Sequence, residues 1–259
     1  MSEGVTDPEL LVTRAYGDAR HLTARQSLYQ WQRPRYDLPG LVAAELADVT
    51  GRVLDVGCAY GQYVRRLRKD RPDLEVVGAD LSAGILAGLP GPVVVADAQA
   101  LPFADDAADA VLALHMLYHV PDIPAAIREL ARVLKPGGVL VVSTNSGTDK
   151  RELDQLWRRA AGDGHAKLSP TARFPLEAAP ELLGATFGDV RVRELPGVVE
   201  VTDPAPVVAH LASHEAWAGQ AGASFAETVR RAERLVRCDI DDNGVFRVHS
   251  LAGLLVCRL

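Results

Sequence analysis

The chain has little of what builds a disulfide scaffold, a metal centre or a membrane anchor. Its three cysteines, Cys58, Cys238 and Cys257, are odd in number and far apart. That suits a reducing compartment, argues against a disulfide framework and offers no metal-ligand spacing. No apolar run approaches the roughly 20 residues needed to cross a bilayer. The first residues, Met1 to Asp7, lack the basic and apolar regions of a signal peptide. The expectation is a cytoplasmic protein with no membrane partner. Positive charge is also scarce: the net charge is −6, which disfavours broad attraction to nucleic-acid phosphates. No internal repeat or low-complexity tract stands out. At 259 residues, 48% hydrophobic and 24% charged, the chain has room for one α/β domain with added helices.

What is present is a series of short apolar strands that end in acids. Val53 to Gly61 reads Val-Leu-Asp-Val-Gly-Cys-Ala-Tyr-Gly, a strand opening into a small-residue loop and then an amphipathic helix. Gly57 permits the tight turn, while Ala59 and Gly61 keep side chains clear so that backbone amides can approach a ligand. A dinucleotide fingerprint requires no acid two residues before its first glycine, yet Asp55 stands there, suited to a ligand with a positive end. A second strand, Glu75 to Asp80, ends in an acid 25 residues after Asp55, the arrangement that presents a carboxylate to a ribose diol. Pro92 to Ala98 gives a third strand, with Asp97 at its end. A fourth, Ala108 to Leu114, runs into His115, and helix Ile123 to Leu134 leads to a fifth, Val139 to Ser143.

Five motifs in order, LDVGCAYG, VVGADLS, VVVADAQALPF, ADAVLALHMLYHV and RVLKPGGVLVVS, cover roughly residues 50–145. In these the chain resembles the class I S-adenosylmethionine-dependent methyltransferases, closest to the small-molecule branch often labelled methyltransferase type 11. One departure is Ala59, where the family commonly has glycine. The resemblance implies a Rossmann-like, doubly wound, mostly parallel sheet of seven strands with the last antiparallel, plus N-terminal and inserted cap helices. It also implies S-adenosylmethionine as cofactor. Asp55 would face the methionine amino group, with Gly57, Cys58, Ala59 and Gly61 lining that end. Asp80 would take both ribose hydroxyls, Leu81 would pack on the adenine, and Asp97 with the Ala98 amide would read its edge. Leu114 and Tyr29 complete the expected cofactor set. Taken singly, each acid is as readily a strand-end turn or cap residue; three at consecutive strand ends favour a ligand. Asp109, at the start of its strand, reads as structural.

His115 follows the fourth strand where acceptor-facing groups lie, making it the candidate catalytic residue, as a polar contact or base. A satisfied structural histidine is the alternative. His119 reads as packing, and the pair lacks the Glu of a His-Glu-x-x-His zinc site, so no metal is expected. His210 and His214 share one helix, and His165 sits in a loop; each is a surface or cap residue or a liner of the acceptor pocket. A small-molecule acceptor is expected over nucleic acid, since Leu-His-Met-Leu stands where nucleic-acid amino methyltransferases carry an Asn-Pro-Pro-Tyr type motif. Only four of the 28 basic residues are lysine, a skew that fits high-GC codon usage and an enzyme tailoring specialised metabolites. The rival functions are a non-catalytic cofactor-binding module and a nicotinamide-dependent oxidoreductase. The latter lacks both a third loop glycine and a Tyr-x-x-x-Lys pair.

The expected organisation is an N-terminal helical arm or lid over 1–48, a cofactor-binding core over 49–145, an inserted cap over 146–186, and C-terminal strands and helices over 187–259 completing the sheet and acceptor pocket. The arm is expected to be helical over 8–33, with Arg25 and Tyr29 on one face and Tyr29, Trp31 and Tyr36 as ligand-facing aromatics. Strands at Val190 to Leu195 and Val198 to Val201, and a terminal hairpin of Gly244 to His249 with Gly253 to Cys257, are expected to close the sheet. Monomer and homodimer are both compatible.

Overall fold

Val53, Leu54, Val76, Val111 and Leu112 are buried on strands flanked by strands. Apolar runs of this kind form the interior of a parallel sheet with helices on both faces. The computed structural model describes residues 3–162, 170–217 and 224–259. It places the runs in one eight-stranded sheet of β1 (Gln32–Arg33), β2 (Arg52–Val56), β3 (Glu75–Asp80), β4 (Val93–Val95), β5 (Ala108–Leu114), β6 (Leu134–Asn145), β7 (Asp189–Val201) and β8 (Phe246–Arg258). The order is β1-β7-β8-β6-β5-β2-β3-β4. From β4 to β6 neighbouring strands are parallel, while β8 runs antiparallel to both β6 and β7. The sequence direction reverses between β2 and β5, the switch point at which such sheets bind ligands. One core layer packs the helix Ile123–Val133 on the sheet, and the other packs Leu38–Glu45 and Gln62–Asp70. Asp109 is structural as expected: its carboxylate accepts from the Arg52 amide at 2.8 Å and from Lys135 Nζ at 2.8 Å, tying β5 to β2 and β6.

Four expectations need correction. The sheet has eight strands rather than seven, because Gln32 and Arg33 pair with Val199 and Val198 at its edge. The last strand is antiparallel as expected, but it is one 13-residue strand and not a hairpin. Gly253 marks no turn: Leu176 lies over it, and a Cβ there would meet Leu176 Cδ1 at 2.1 Å, so this glycine serves close approach. Likewise β7 passes unbroken through Pro196, whose carbonyl accepts from Tyr36 Oη at 2.8 Å and so faces the outer edge rather than β8; its missing N–H lies on that same side and costs no ladder bond to β8. The arm is not one helix either. A short turn at Leu11–Ala15 ends at Tyr16, whose carbonyl accepts from Ser82 Oγ at 2.9 Å, and helix resumes at Arg20–Ser27. That contact diverts the chain onto the end of β3.

Beyond β7 and β8, the helices Arg151–Ala161, Ala205–Ala212 and Phe225–Asn243 share a separate apolar cluster with Leu28 of the arm. The loop after β2 has Gly57, Ala59 and Gly61 all left-handed, at φ 72°, 49° and 80°. Gly57 is obligatory for a second reason: a Cβ there would meet Met116 Cβ at 2.7 Å. For alanine this conformation costs about 1–2 kcal/mol, partly offset by the roughly 0.4–1 kcal/mol that glycine adds in unfolded-chain entropy. Ala59→Gly is therefore expected to leave stability unchanged or raise it by about 1 kcal/mol, and Gly57→Ala to lower it by more than about 1 kcal/mol. Urea denaturation midpoints check both; a clear loss with Ala59→Gly would contradict the strain at that position.

Candidate functional site

A cavity of about 660 Å3 opens at the carboxyl ends of the parallel strands, under the arm helix and the C-terminal helices. The sequence places small or polar residues where each strand stops: Gly57 after β2, Asp80 and Leu81 at β3, Ala96 and Asp97 after β4, His115 after β5 and Asn145 at β6. All of these line the cavity.

Of the expected cofactor set, Tyr29, Gly57, Cys58, Ala59, Asp80, Leu81, Asp97, Ala98 and Leu114 line the cavity. Asp80 Oδ2 accepts from the Ala59 amide and Oδ1 from the Ser82 amide, both at 2.9 Å. Each oxygen keeps lone-pair capacity toward the cavity. Desolvation holds this carboxyl above its ordinary range. Asp97 is exposed and accepts from the Gln99 amide at 2.8 Å. Two residues sit elsewhere than expected. Gly61 lies behind the wall, where a Cβ would strike Leu89 Cδ1 at 2.3 Å; its smallness serves packing rather than ligand approach. Asp55 is likewise not on the cavity wall but directly behind it, fully buried, with Oδ2 lacking any hydrogen-bond partner among the described residues. Burial, and then the neighbouring Asp80 charge, push its carboxyl up to about 7. The Cys58 thiol is driven upward by burial, then by the Asp55 and Asp80 charges, so it is no nucleophile.

His115 lines the cavity in a left-handed conformation, φ 54°, with its amide bonded to the Ser143 carbonyl at 2.9 Å. Burial, aided by the Lys150 charge, lowers its imidazole to about 4. It is neutral at pH 7, and protonating it there is uphill by about 4 kcal/mol. It is therefore a hydrogen-bonding group rather than an effective base. His119 also lines the cavity but is fixed, taking Tyr16 Oη at 2.7 Å and the Val5 carbonyl at 3.0 Å. His210 and His214 both reach the lining, His210 being buried and His214 donating to the His210 carbonyl at 2.8 Å. His165 lies outside the described residues. No group of three or more metal-type ligands occurs among the described residues, and no helix there is long and apolar enough to cross a membrane.

Of the arm aromatics, Tyr29 and Tyr36 line the cavity, whereas Trp31 is exposed and does not. Arg25 lines it together with Tyr29, so the one-face spacing of the pair carried information. Several liners had no motif to mark them. Lys150 is buried in an ion pair with Asp149, its ammonium 4.8 Å from the Tyr29 ring centre. Tyr16, Asn145 and Trp217 come from three distant segments, and only the folded chain brings them together.

This ligand-free geometry fits S-adenosylmethionine: an unpartnered buried carboxylate for a cation, a second carboxylate with free lone pairs for a diol, and a loop whose Cα atoms leave close approach open. Residues 54–142 match the methyltransferase domain family. The chain is 36% identical over 166 residues to a demethylmenaquinone methyltransferase of Mycolicibacterium paratuberculosis, covering 56% of this chain and 71% of that one. It is 34% identical over 149 residues to a malonyl-[acyl-carrier protein] O-methyltransferase of Methylococcus capsulatus, but spans only 53% of that protein's length and 54% of its own. In fold it is similar to a Haemonchus contortus phosphoethanolamine N-methyltransferase solved with S-adenosylhomocysteine, at a TM-score of 0.58 and 17% identity, over 98% of this chain and 60% of the other. The motifs, the cradle and these likenesses agree: the chain belongs to the class I S-adenosylmethionine-dependent methyltransferases, with S-adenosylmethionine as its cofactor.

Proposed function

We propose that the protein transfers a methyl group to an oxygen, nitrogen or carbon of a small specialised metabolite held in the cavity, with residues 1–48 and 146–186 capping it. The observation that carries this reading is the pairing of a buried, unpartnered Asp55 with a half-satisfied Asp80 at one end of a cavity that extends well past them. S-adenosylmethionine, when bound, supplies a methyl group already activated on a sulfonium. The protein's task is then to hold two reactants in line, and orientation alone is worth on the order of 7–11 kcal/mol of barrier.

In this reading Asp80 holds the ribose hydroxyls through its remaining lone pairs. Leu81, half-exposed on the cavity wall, offers apolar surface to the adenine. Asp97 and the Ala98 amide read the adenine edge. Asp55 faces the methionine amino group directly or through water, while Gly57, Cys58, Ala59 and Leu114 shape that end and Tyr29 covers it. His115, neutral by burial, accepts a hydrogen bond from the acceptor's O–H or N–H and aims its lone pair at the methyl. The relatives, named for demethylmenaquinone and for a malonyl group on acyl-carrier protein, support a small acceptor, free or carrier-bound, without fixing which.

Incubating the purified protein with methyl-labelled S-adenosylmethionine and a small-molecule cell extract should yield S-adenosylhomocysteine and one labelled product. Asp80→Ala should weaken S-adenosylhomocysteine binding at least tenfold by calorimetry; equal affinity would remove Asp80 from its role. A second test concerns pH. The ligand-free Asp55 carboxyl, raised to about 7 from 3.8, keeps a proton between those values that the unfolded chain has lost. Its contribution to stability therefore declines as pH rises through that window. A cation beside it reverses the preference, so binding of S-adenosylhomocysteine near pH 6 should expel close to one proton. Binding enthalpies in buffers of different ionisation heat read this directly. Asp55→Asn should abolish the release, and a wild type that releases none would contradict the assignment.

A further inference from the structure

We propose that the acceptor carries an anionic group, a carboxylate or its equivalent, and that Arg25 and Trp217 form the subsite that holds it. The proposal rests on reading the cavity as a methyl-transfer site. Arg25 and Trp217 both line the cavity. The Arg25 guanidinium lies against two rings, 5.0 Å from the centre of Trp217 and 5.1 Å from that of Tyr16. One of its nitrogens donates to the Ser213 carbonyl at 3.0 Å. A second, Nη2, is buried with no hydrogen-bond partner among the described residues. Trp217 is 5% exposed, and its Nε1, buried too, likewise has no partner there.

Two buried donors without acceptors are costly unless a ligand completes them. Arg25 is only partly buried as a residue, but the Nη2 end of its guanidinium is held out of water, and a charged donor so placed favours a counter-charge above all. The carboxylates that share the cavity do not supply it. Asp80 takes the Ala59 and Ser82 amides, Asp149 pairs with Lys150, Asp97 takes Gln99, and no acid among the described residues comes within ion-pair distance of Arg25. Two N–H groups of an arginine and an indole suit the oxygens of a carboxylate through charge-assisted hydrogen bonds. The adjoining wall is aromatic, with His119 stacked on Trp217 at 5.8 Å and Tyr16 edge-on to both. A planar body bearing the anion fits that wall. Arg25 comes from the arm helix and Trp217 from the turn after Ala205–Ala212. The subsite thus exists only when arm and C-terminal helices meet.

The test uses benzoate and benzamide, twins in shape that differ in charge, titrated by saturation-transfer NMR with and without saturating S-adenosylhomocysteine. Benzoate should bind at least tenfold more tightly than benzamide. Arg25→Gln should erase that preference while leaving S-adenosylhomocysteine affinity within twofold, and Trp217→Phe, which keeps the ring stack but removes the donor, should reduce it at least threefold. Retained cofactor binding and circular dichroism report that each variant is folded, and Trp217→Phe decides the matter if Arg25→Gln is not. Equal binding of the twins overturns the proposal. So does a tenfold loss of S-adenosylhomocysteine affinity in Arg25→Gln with the benzoate preference intact, which would assign Arg25 to the cofactor's own carboxylate. Failure of wild type to bind S-adenosylhomocysteine would instead defeat the methyl-transfer reading, and the titration without it still decides the anion subsite.

Discussion

Two carboxylates at the tips of neighbouring strands, with no ion-pair partner for either among the described residues, set the terms for the rest of this structure. Asp55 is buried near the end of β2, Asp80 ends the adjacent β3, and the Asp80 charge adds to burial in disfavouring ionisation of Asp55. Folding by itself does not recompense this arrangement. A buried acid whose oxygen meets no donor is a standing cost of a few kcal/mol, and a protein retains it where a ligand of opposite charge offsets it. The site is thus a place where stability is given up for binding.

The scaffold holds that cost in place. Parallel pairing of β2 with β3 and β5 fixes where each strand stops, so Asp80, the glycine loop and His115 reach one cavity edge, with Asp55 directly behind it. The strained Ala59 is part of the same arrangement, since its left-handed backbone aims its amide at Asp80. Ordering of that acid and strain in the loop are two sides of one contact. On the opposite wall the arm, the segment after β6 and the C-terminal helices contribute Arg25, the Lys150–Asp149 ion pair and aromatic groups, so the cavity has an acidic floor and an aromatic roof that carries Arg25.

The floor was legible in the sequence and the roof only in part, through Arg25, Tyr29 and Tyr36 of the arm. Strand-end acids and small loop residues are local patterns, and β5 runs from Ala108 to Leu114 as its apolar run predicts. Asp55 and Gly61 show the limit even there, because spacing cannot say whether a residue faces the cavity or stands behind its wall. Pro196 and Gly253 read as breaks, yet both lie within strands because of what neighbours them: an unpaired edge for the proline and the Leu176 side chain for the glycine. The roof depends on contacts of long sequence separation. Arg25 meets Trp217 only after the arm has been diverted at Tyr16 by Ser82, and no periodicity encodes that meeting.

Methyl transfer asks for alignment more than for acid–base power, and a histidine held neutral by burial suits that demand. The most direct measurement is a crystal structure of the complex with S-adenosylhomocysteine. Both ribose hydroxyls should lie within hydrogen-bond distance of Asp80, the amino group on the Asp55 side of the glycine loop, and the sulfur facing His115. A nucleoside lying instead along the Arg25 and Trp217 wall, or a cleft left empty at saturating ligand, would contradict this placement.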